Sequence, residues 1–168
     1  MDVTIIPSKL RGTVTPPSSK SVAHRALIAA ALSGGFSTIS NLGDSKDIQA
    51  TRSCLSALKT GQPAGEDGLP LLDCGESGST LRFLIPLSLV LRGGGHFTGR
   101  GRLMERPQGP YFSLFQEKGT FYQQKDGVLT VRGTLSPGRY SLPGDVSSQF
   151  ITGLLFALPL LDGDSEIV

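Results

Sequence analysis

The most regular feature of the chain is a turn of small polar residues leading straight into an apolar run, and it occurs three times: PPSSKSVAHRALIAAALS from Pro16, GESGSTLRFLIPLSLVL from Gly75, and GDVSSQFITGLLFALPLL from Gly144. None of the three runs carries a clean amphipathic stripe. A helix apolar around most of its circumference needs other elements on every side, so the pattern predicts three interior helices with polar N-terminal ends. Two further helices read as more exposed. Ser45–Leu58 opens on a capped start, SKD, and sets Ile48, Leu55 and Leu58 near one face. Pro107–Lys118 has a proline suited to a first turn, groups Tyr111, Leu114 and Phe115 on one face, and meets a natural stop at Gly119.

Strand-like segments lie between the helices: GTVTP near the start, FSTISNL at Phe36–Leu42, and GGHFTGRG at Gly94–Gly101. TFYQQ and VLTVRG form a hairpin across Lys125-Asp126-Gly127, where Asp-Gly supplies a tight turn. The order strand, buried helix, strand, exposed helix, hairpin gives repeated βαβαββ units in an α/β (α+β) fold. Their approximate bounds are 12–74, 75–142 and the start of a third unit at 143–168. In the first unit only Thr60–Asp73 follows the exposed helix, so its hairpin is expected to be missing or shortened. SEIV at the end reads as the opening of a strand without a continuation, which predicts that these 168 residues are part of a longer protein.

With Lys plus Arg at 16 against Asp plus Glu at 14, no strong overall field draws the chain to nucleic acid or an anionic membrane, so anion binding has to be local. The apolar stretches Ala26–Leu32, Leu81–Leu91 and Phe150–Leu161 are too short or too interrupted to span a bilayer, and the opening MDVTIIPSKLRG lacks signal-peptide architecture. Cys54 and Cys74 have no metal-like or CxxC spacing and read as buried reduced thiols, which fits the cytoplasm.

Chemistry concentrates at the helix starts, where unpaired N–H groups and the positive end of the dipole favour phosphate or carboxylate. In SSKSVAHR, Lys20 sits at the mouth while Ser21 and Arg25, four apart, share a face. One reading is a capped helix with solvated charges; the other is an anion site, favoured by an arginine standing inside an apolar helix. At the second mouth, Gly75–Thr80 offers glycines for close backbone approach and hydroxyl donors, without the lysine of a P-loop. The third presents Ser147, Ser148 and Gln149, more donors than capping alone requires. Arg106, in the run RLMERP before another helix, is either a two-pronged anion clamp or a surface arginine paired with Glu105. His24 and His96 read as packing or surface residues.

Taken in order, SSKSxxxR, GESGSTLR, MERP and SSQF span nearly the whole chain, and the series resembles the successive motifs of the EPSP synthase (5-enolpyruvylshikimate-3-phosphate synthase) family. The resemblance implies the two-domain inside-out barrel fold of enolpyruvyl transferases, with this chain as the N-terminal, shikimate-3-phosphate-binding portion and the C-terminal domain absent. It implies transfer of the enolpyruvyl group of phosphoenolpyruvate to the 5-hydroxyl of shikimate-3-phosphate, with loss of phosphate through a tetrahedral intermediate. No cofactor and no metal are expected, and the parent enzyme is expected to be a cytoplasmic monomer.

By the same resemblance, Lys20 contacts phosphoenolpyruvate and assists proton transfer, while Ser21 and Arg25 hold shikimate-3-phosphate. Gly78 shapes the phosphoenolpyruvate and glyphosate pocket, Ser79 stands where Thr is frequent but keeps the substrate-binding hydroxyl, and Arg106 grips phosphoenolpyruvate. Ser147 and Ser148 bind the shikimate phosphate, and Gln149 reaches between the substrates. Glu76 departs from the better-known form, which has Asn, and is expected to need a cation such as Arg82 or Lys20 beside it. Two alternatives stand beside this reading: a UDP-amino-sugar enolpyruvyl transferase, against which Ser21 speaks because that enzyme has Asn after the lysine, and a non-catalytic phospho-ligand-binding module.

Overall fold

The computed structural model describes residues 2–9, 11–61 and 67–168. Five helices and six strands follow one another as α1 (Lys20–Leu32), α2 (Lys46–Thr60), β1 (Leu71–Asp73), α3 (Gly78–Arg92), β2 (Gly94–Thr98), α4 (Gly109–Lys118), β3 (Phe121–Lys125), β4 (Val128–Arg132), β5 (Gly138–Tyr140), α5 (Ser148–Ala157) and β6 (Ser165–Ile167) among the described residues. Short 3-10 turns at Leu103–Glu105 and Leu158–Leu160 complete the order.

Elements β1 to β4, with α3 and α4, make one complete βαβαββ unit, and it begins at β1, ahead of Gly75. Its sheet runs β1-β2-β4-β3, with β1 parallel to β2 and the other neighbours antiparallel. The hairpin β3–β4 pairs Lys125 with Val128 across Asp126 and Gly127, which both take positive φ, 51° and 76°. That is the turn geometry whose twist matches the strands it joins. β5 and β6 pair in parallel, as a strand–helix–strand crossover through α5 requires. The closing SEI is therefore a paired strand.

Two expected strands do not form. GTVTP and Phe36–Leu42 lie outside any sheet, with Val14 and Phe36 exposed. In the complete unit, β2 takes its antiparallel partner from the twelve-residue hairpin Phe121–Arg132. Ten residues, 61–70, separate α2 from β1, fewer than that hairpin has, and among the described residues no strand pairs with Phe36–Leu42. Residues 62–66 lie outside the described residues, as does that part of the expected shortened hairpin, and the end of Thr60–Asp73 forms β1. The absence of a covering sheet also explains why α1 buries only Ala23, His24 and Ile28, where the sequence predicts an interior helix.

α3 is the interior helix, buried from Leu81 to Leu89 apart from Arg82. It carries Pro86 mid-helix, which has no N–H to give to the carbonyl of Arg82 four residues earlier. The Tyr111 hydroxyl from α4 makes up the deficit: it lies 2.8 Å from Arg82 O and 2.9 Å from Phe150 O on α5, bracing three helices at one point. Tyr111→Phe leaves the Arg82 carbonyl without that donor, and the expected cost is about 1–3 kcal/mol, read as a lower urea midpoint at unchanged m value. α4 itself starts at Gly109, with Pro110 in its first turn and Pro107 outside it, and buries Tyr111, Leu114 and Phe115 as the sequence pattern requires.

Candidate functional site

Each of the three helix mouths is capped by serine. Ser19 accepts from Val22 N on α1, Ser77 from Thr80 N on α3, and Ser147 from Gln149 N on α5. None of the three first turns contains an acidic residue, so no side chain of the helix itself neutralises the positive dipole end.

The close packing of α3 on α5 brings two of these mouths together. Gly153 makes the approach possible, since a Cβ there would fall 2.6 Å from Arg82 O and 2.2 Å from the Tyr111 hydroxyl oxygen. Gln149 consequently spans the gap: its Nε2 donates to Ser79 Oγ at 2.8 Å, and its Oε1 accepts from Arg82 Nη1 at 2.9 Å. Arg82 Nη1 also reaches Ser147 Oγ at 3.4 Å, its Nη2 donates to Pro107 O at 3.3 Å, and its guanidinium stacks on the Phe150 ring, 4.6 Å from the centroid. Arg106 enters from the segment before α4. A Cβ on Gly78 would sit 2.7 Å from its Nη1 and 3.9 Å from Gln149 Oε1. Gly78, Ser79, Arg106, Ser147 and Gln149 thus form one cluster.

The α1 residues adjoin it unequally. Arg25 Nη2 donates to Thr152 Oγ1 on α5 at 3.4 Å, and Thr152 in turn donates to Ser148 O. The same guanidinium lies over Phe83 of α3, 5.3 Å from the centroid, and donates to Ser21 O. Lys20 turns to Asp47 of α2, 2.7 Å away. Ser21 and Ser148 are exposed at the first turns of α1 and α5.

Arg25, Arg82 and Arg106 have no carboxylate oxygen within 4.0 Å among the described residues. Glu105, the expected partner of Arg106, pairs with Arg102 at 3.3 Å instead. Burial lowers the pKa of Arg82, and the like charge of Arg106 nearby adds to the effect. Its Nε is buried without a hydrogen-bond partner.

Glu76 does not gain the cation expected for it. Arg82 and Lys20 are engaged elsewhere, and no Lys or Arg nitrogen lies within 4.0 Å of the Glu76 carboxylate among the described residues. Being exposed, the carboxylate is solvated, and it points away from the arginine cluster, beside Gly101. There it lines a cavity of about 490 Å³ with Lys46, Asp47, Gln49, Asp73 and Arg100, which contains none of the nine sequence-derived site residues.

The sequence reading missed Arg82 as a member of the cluster. Its signal was present: like Arg25, it is a lone guanidinium inside an apolar helix, and it stands four residues, one turn, after Gly78. Asp47 and Thr152 left no such trace, because only the packing of α2 and α5 brings them to α1.

With this geometry in hand, the similarity to known proteins is specific. The sequence pattern of the family described as EPSP synthase (3-phosphoshikimate 1-carboxyvinyltransferase) matches residues 5–168. Proteins named 3-phosphoshikimate 1-carboxyvinyltransferase are similar over 98% of the chain, that of Clostridium beijerinckii at 45% identity and that of Clostridium kluyveri at 48%. The chain spans 42% of the length of each. The alignment with the C. beijerinckii protein runs over 185 positions, more than the 168 residues of this chain, so that relative carries segments this chain lacks. In fold, the chain is similar to the EPSP synthase of Acinetobacter baumannii, with a TM-score of 0.75 at 22% identity over 94% of this chain and 40% of that one. The chain belongs to the EPSP synthase (3-phosphoshikimate 1-carboxyvinyltransferase) family.

Proposed function

We propose that this chain is the shikimate-3-phosphate-binding part of a 3-phosphoshikimate 1-carboxyvinyltransferase, which joins the enolpyruvyl group of phosphoenolpyruvate to the 5-hydroxyl of shikimate-3-phosphate and releases phosphate. The observation that carries the reading is the gathering of Arg25, Arg82 and Arg106, none with a carboxylate partner among the described residues, around serine-capped helix mouths. Cations held in this way are stabilised by anionic ligands, and both substrates are anions. Ser147, Ser148 and the α5 dipole hold the shikimate phosphate, while Ser21 and Arg25 hold the rest of that substrate, Arg25 through its carboxylate. Arg106, Gly78, Ser79 and Gln149 face phosphoenolpyruvate. Lys20 leaves Asp47 for the incoming anion; an exposed ion pair of this kind is worth only about 0–1 kcal/mol, so the exchange costs little.

The resemblance implies that the acid/base aspartate of the reaction belongs to the C-terminal domain of the enzyme, so these residues by themselves are expected to bind without turnover. Its pair of reduced thiols fits the cytoplasm, and among the described residues no helix is long and apolar enough to cross a membrane.

Calorimetric titration with shikimate-3-phosphate tests the proposal. Saturable heat is expected, and Arg25→Ala is expected to weaken binding about tenfold or more, in line with the roughly 1.5–3 kcal/mol of a charge-assisted hydrogen bond. A folded chain that gives no heat with shikimate-3-phosphate, or that binds a UDP-amino sugar instead, overturns it.

A further inference from the structure

Outside the arginine cluster, the described residues bury one histidine that the proposed chemistry leaves unused. His24 lies on α1 between Lys20 and Arg25, 2% exposed, with its ring edge-on to Phe83 of α3. Its Nδ1 is 2.7 Å from Thr51 Oγ1 on α2, and Thr51 Oγ1 is 2.7 Å from Thr80 Oγ1 on α3. The Thr80 hydroxyl donates to Ser77 Oγ, again at 2.7 Å. All four side chains are buried, and the series ends on the residue that caps α3 immediately before Gly78 and Ser79.

A hydroxyl has one proton to give, so the bonds in such a series cannot be oriented independently. With the Thr80 proton on Ser77, the 2.7 Å contact between the Thr51 and Thr80 oxygens requires the Thr51 proton. Thr51 then offers His24 only a lone pair, and Nδ1 must donate. If Nδ1 is the bare nitrogen instead, Thr51 donates to it, Thr80 turns to Thr51, and the Ser77 hydroxyl must turn inward. Neutral imidazole with its proton on Nδ1 and imidazolium both impose the first arrangement, whereas neutral imidazole with its proton on Nε2 imposes the second, so only from the Nε2–H tautomer does protonation switch how the cap of α3 is hydrogen-bonded.

We propose that neutral His24 carries its proton on Nε2 and is a positioning residue for the α3 mouth, acting through Thr51 and Thr80 on the Ser77 cap and hence on the Gly78 and Ser79 amides, so that protonation of Nδ1 is read out at the ligand-facing end of α3. The proposal rests on the functional reading above only in taking that mouth as the place where ligand docks. The charged groups facing His24 are Lys20 and Arg25 from its own helix and Asp47 from α2; α3 presents the uncharged Phe83 ring and the Thr80 hydroxyl. Desolvation dominates, with Lys20 and Arg25 adding to it and Asp47 opposing it, so the imidazole titrates below its ordinary 6.5.

Two-dimensional amide spectra of the 15N-labelled chain, recorded across a pH titration without ligand, test the coupling. The Gly78 and Ser79 amides are expected to shift with the midpoint of the His24 ring protons, below pH 6.5. Thr51→Val, which keeps the shape and removes the hydroxyl, is expected to abolish that component, and Thr51→Ser to restore it. Amides that do not follow His24 in the wild type, or that still follow it in folded Thr51→Val, overturn the proposal, as does a Thr51→Ser chain that folds yet fails to restore the coupling. Because no ligand is present, failure here is distinct from failure of the chain to bind shikimate-3-phosphate. If both readings hold, shikimate-3-phosphate affinity changes across the His24 titration in wild type and Thr51→Ser, and loses that step in Thr51→Val.

Discussion

Gly153→Ala is expected to destabilise the chain by about 2 kcal/mol and to lower Tm by roughly 4–8 °C. In an α-helix, alanine ordinarily gains about 1 kcal/mol over glycine. Here the added methyl meets the Tyr111 hydroxyl oxygen at 2.2 Å and the Arg82 carbonyl at 2.6 Å, with the Pro86 ring at 3.1 Å. The carbonyl is backbone of the central helix, and the hydroxyl is the brace that compensates for Pro86, so neither moves without breaking another contact. Overpacking of this kind costs about 3 kcal/mol, more than propensity returns. The damage extends to the site, because separating α5 from α3 stretches both bonds of Gln149. Thermal unfolding measures the first effect and shikimate-3-phosphate titration the second; a Gly153→Ala chain as stable as wild type contradicts the close helix crossing.

The same substitution at Gly78 is expected to do the opposite: leave stability within about 1 kcal/mol of wild type and impair ligand binding. A Cβ at Gly78 meets Arg106 Nη1 at 2.7 Å, and that nitrogen is the tip of a long, exposed side chain that can swing aside at little cost. Once displaced, the guanidinium no longer faces the mouth between Gly78 and Gln149. Phosphoenolpyruvate binding to the chain saturated with shikimate-3-phosphate is expected to weaken at least about tenfold, equivalent to about 1.4 kcal/mol. Shikimate-3-phosphate, for which we propose Arg25, Ser147 and Ser148 as the holding residues, is expected to be little affected. Equal phosphoenolpyruvate affinity in Gly78→Ala and wild type excludes Arg106 as its clamp.

These contrasts show which parts of the molecule were legible in one dimension. The hairpin was, because Asp126-Gly127 between two β-rich runs determines turn and register locally. So were the starts of α2, α3 and α5, since a serine cap followed by an apolar run is a signal confined to a few residues. The strands expected at Gly12–Pro16 and Phe36–Leu42 failed because a strand is specified as much by its partner as by its own residues, and no described strand pairs with either. β1 and β5 were overlooked because three-residue strands carry too little alternation to stand out. In the site, the serines and arginines were visible as oddities in apolar surroundings. Their hydrogen bonds to one another join residues as far apart as Ser79 and Gln149, and no local pattern encodes that pairing.

The separation along the chain also bears on the order of assembly. Hairpin β3–β4 closes across two residues and can form within microseconds of chain collapse. The contacts of Arg82 and Ser79 with Gln149 close loops of about seventy residues, and β5 finds β6 only across the whole of α5. Loop closure of that length slows the search for native contacts. A refolding chain is therefore expected to regain its sheet before it regains a receptor for anions, so that stopped-flow circular dichroism should recover ahead of ligand capture.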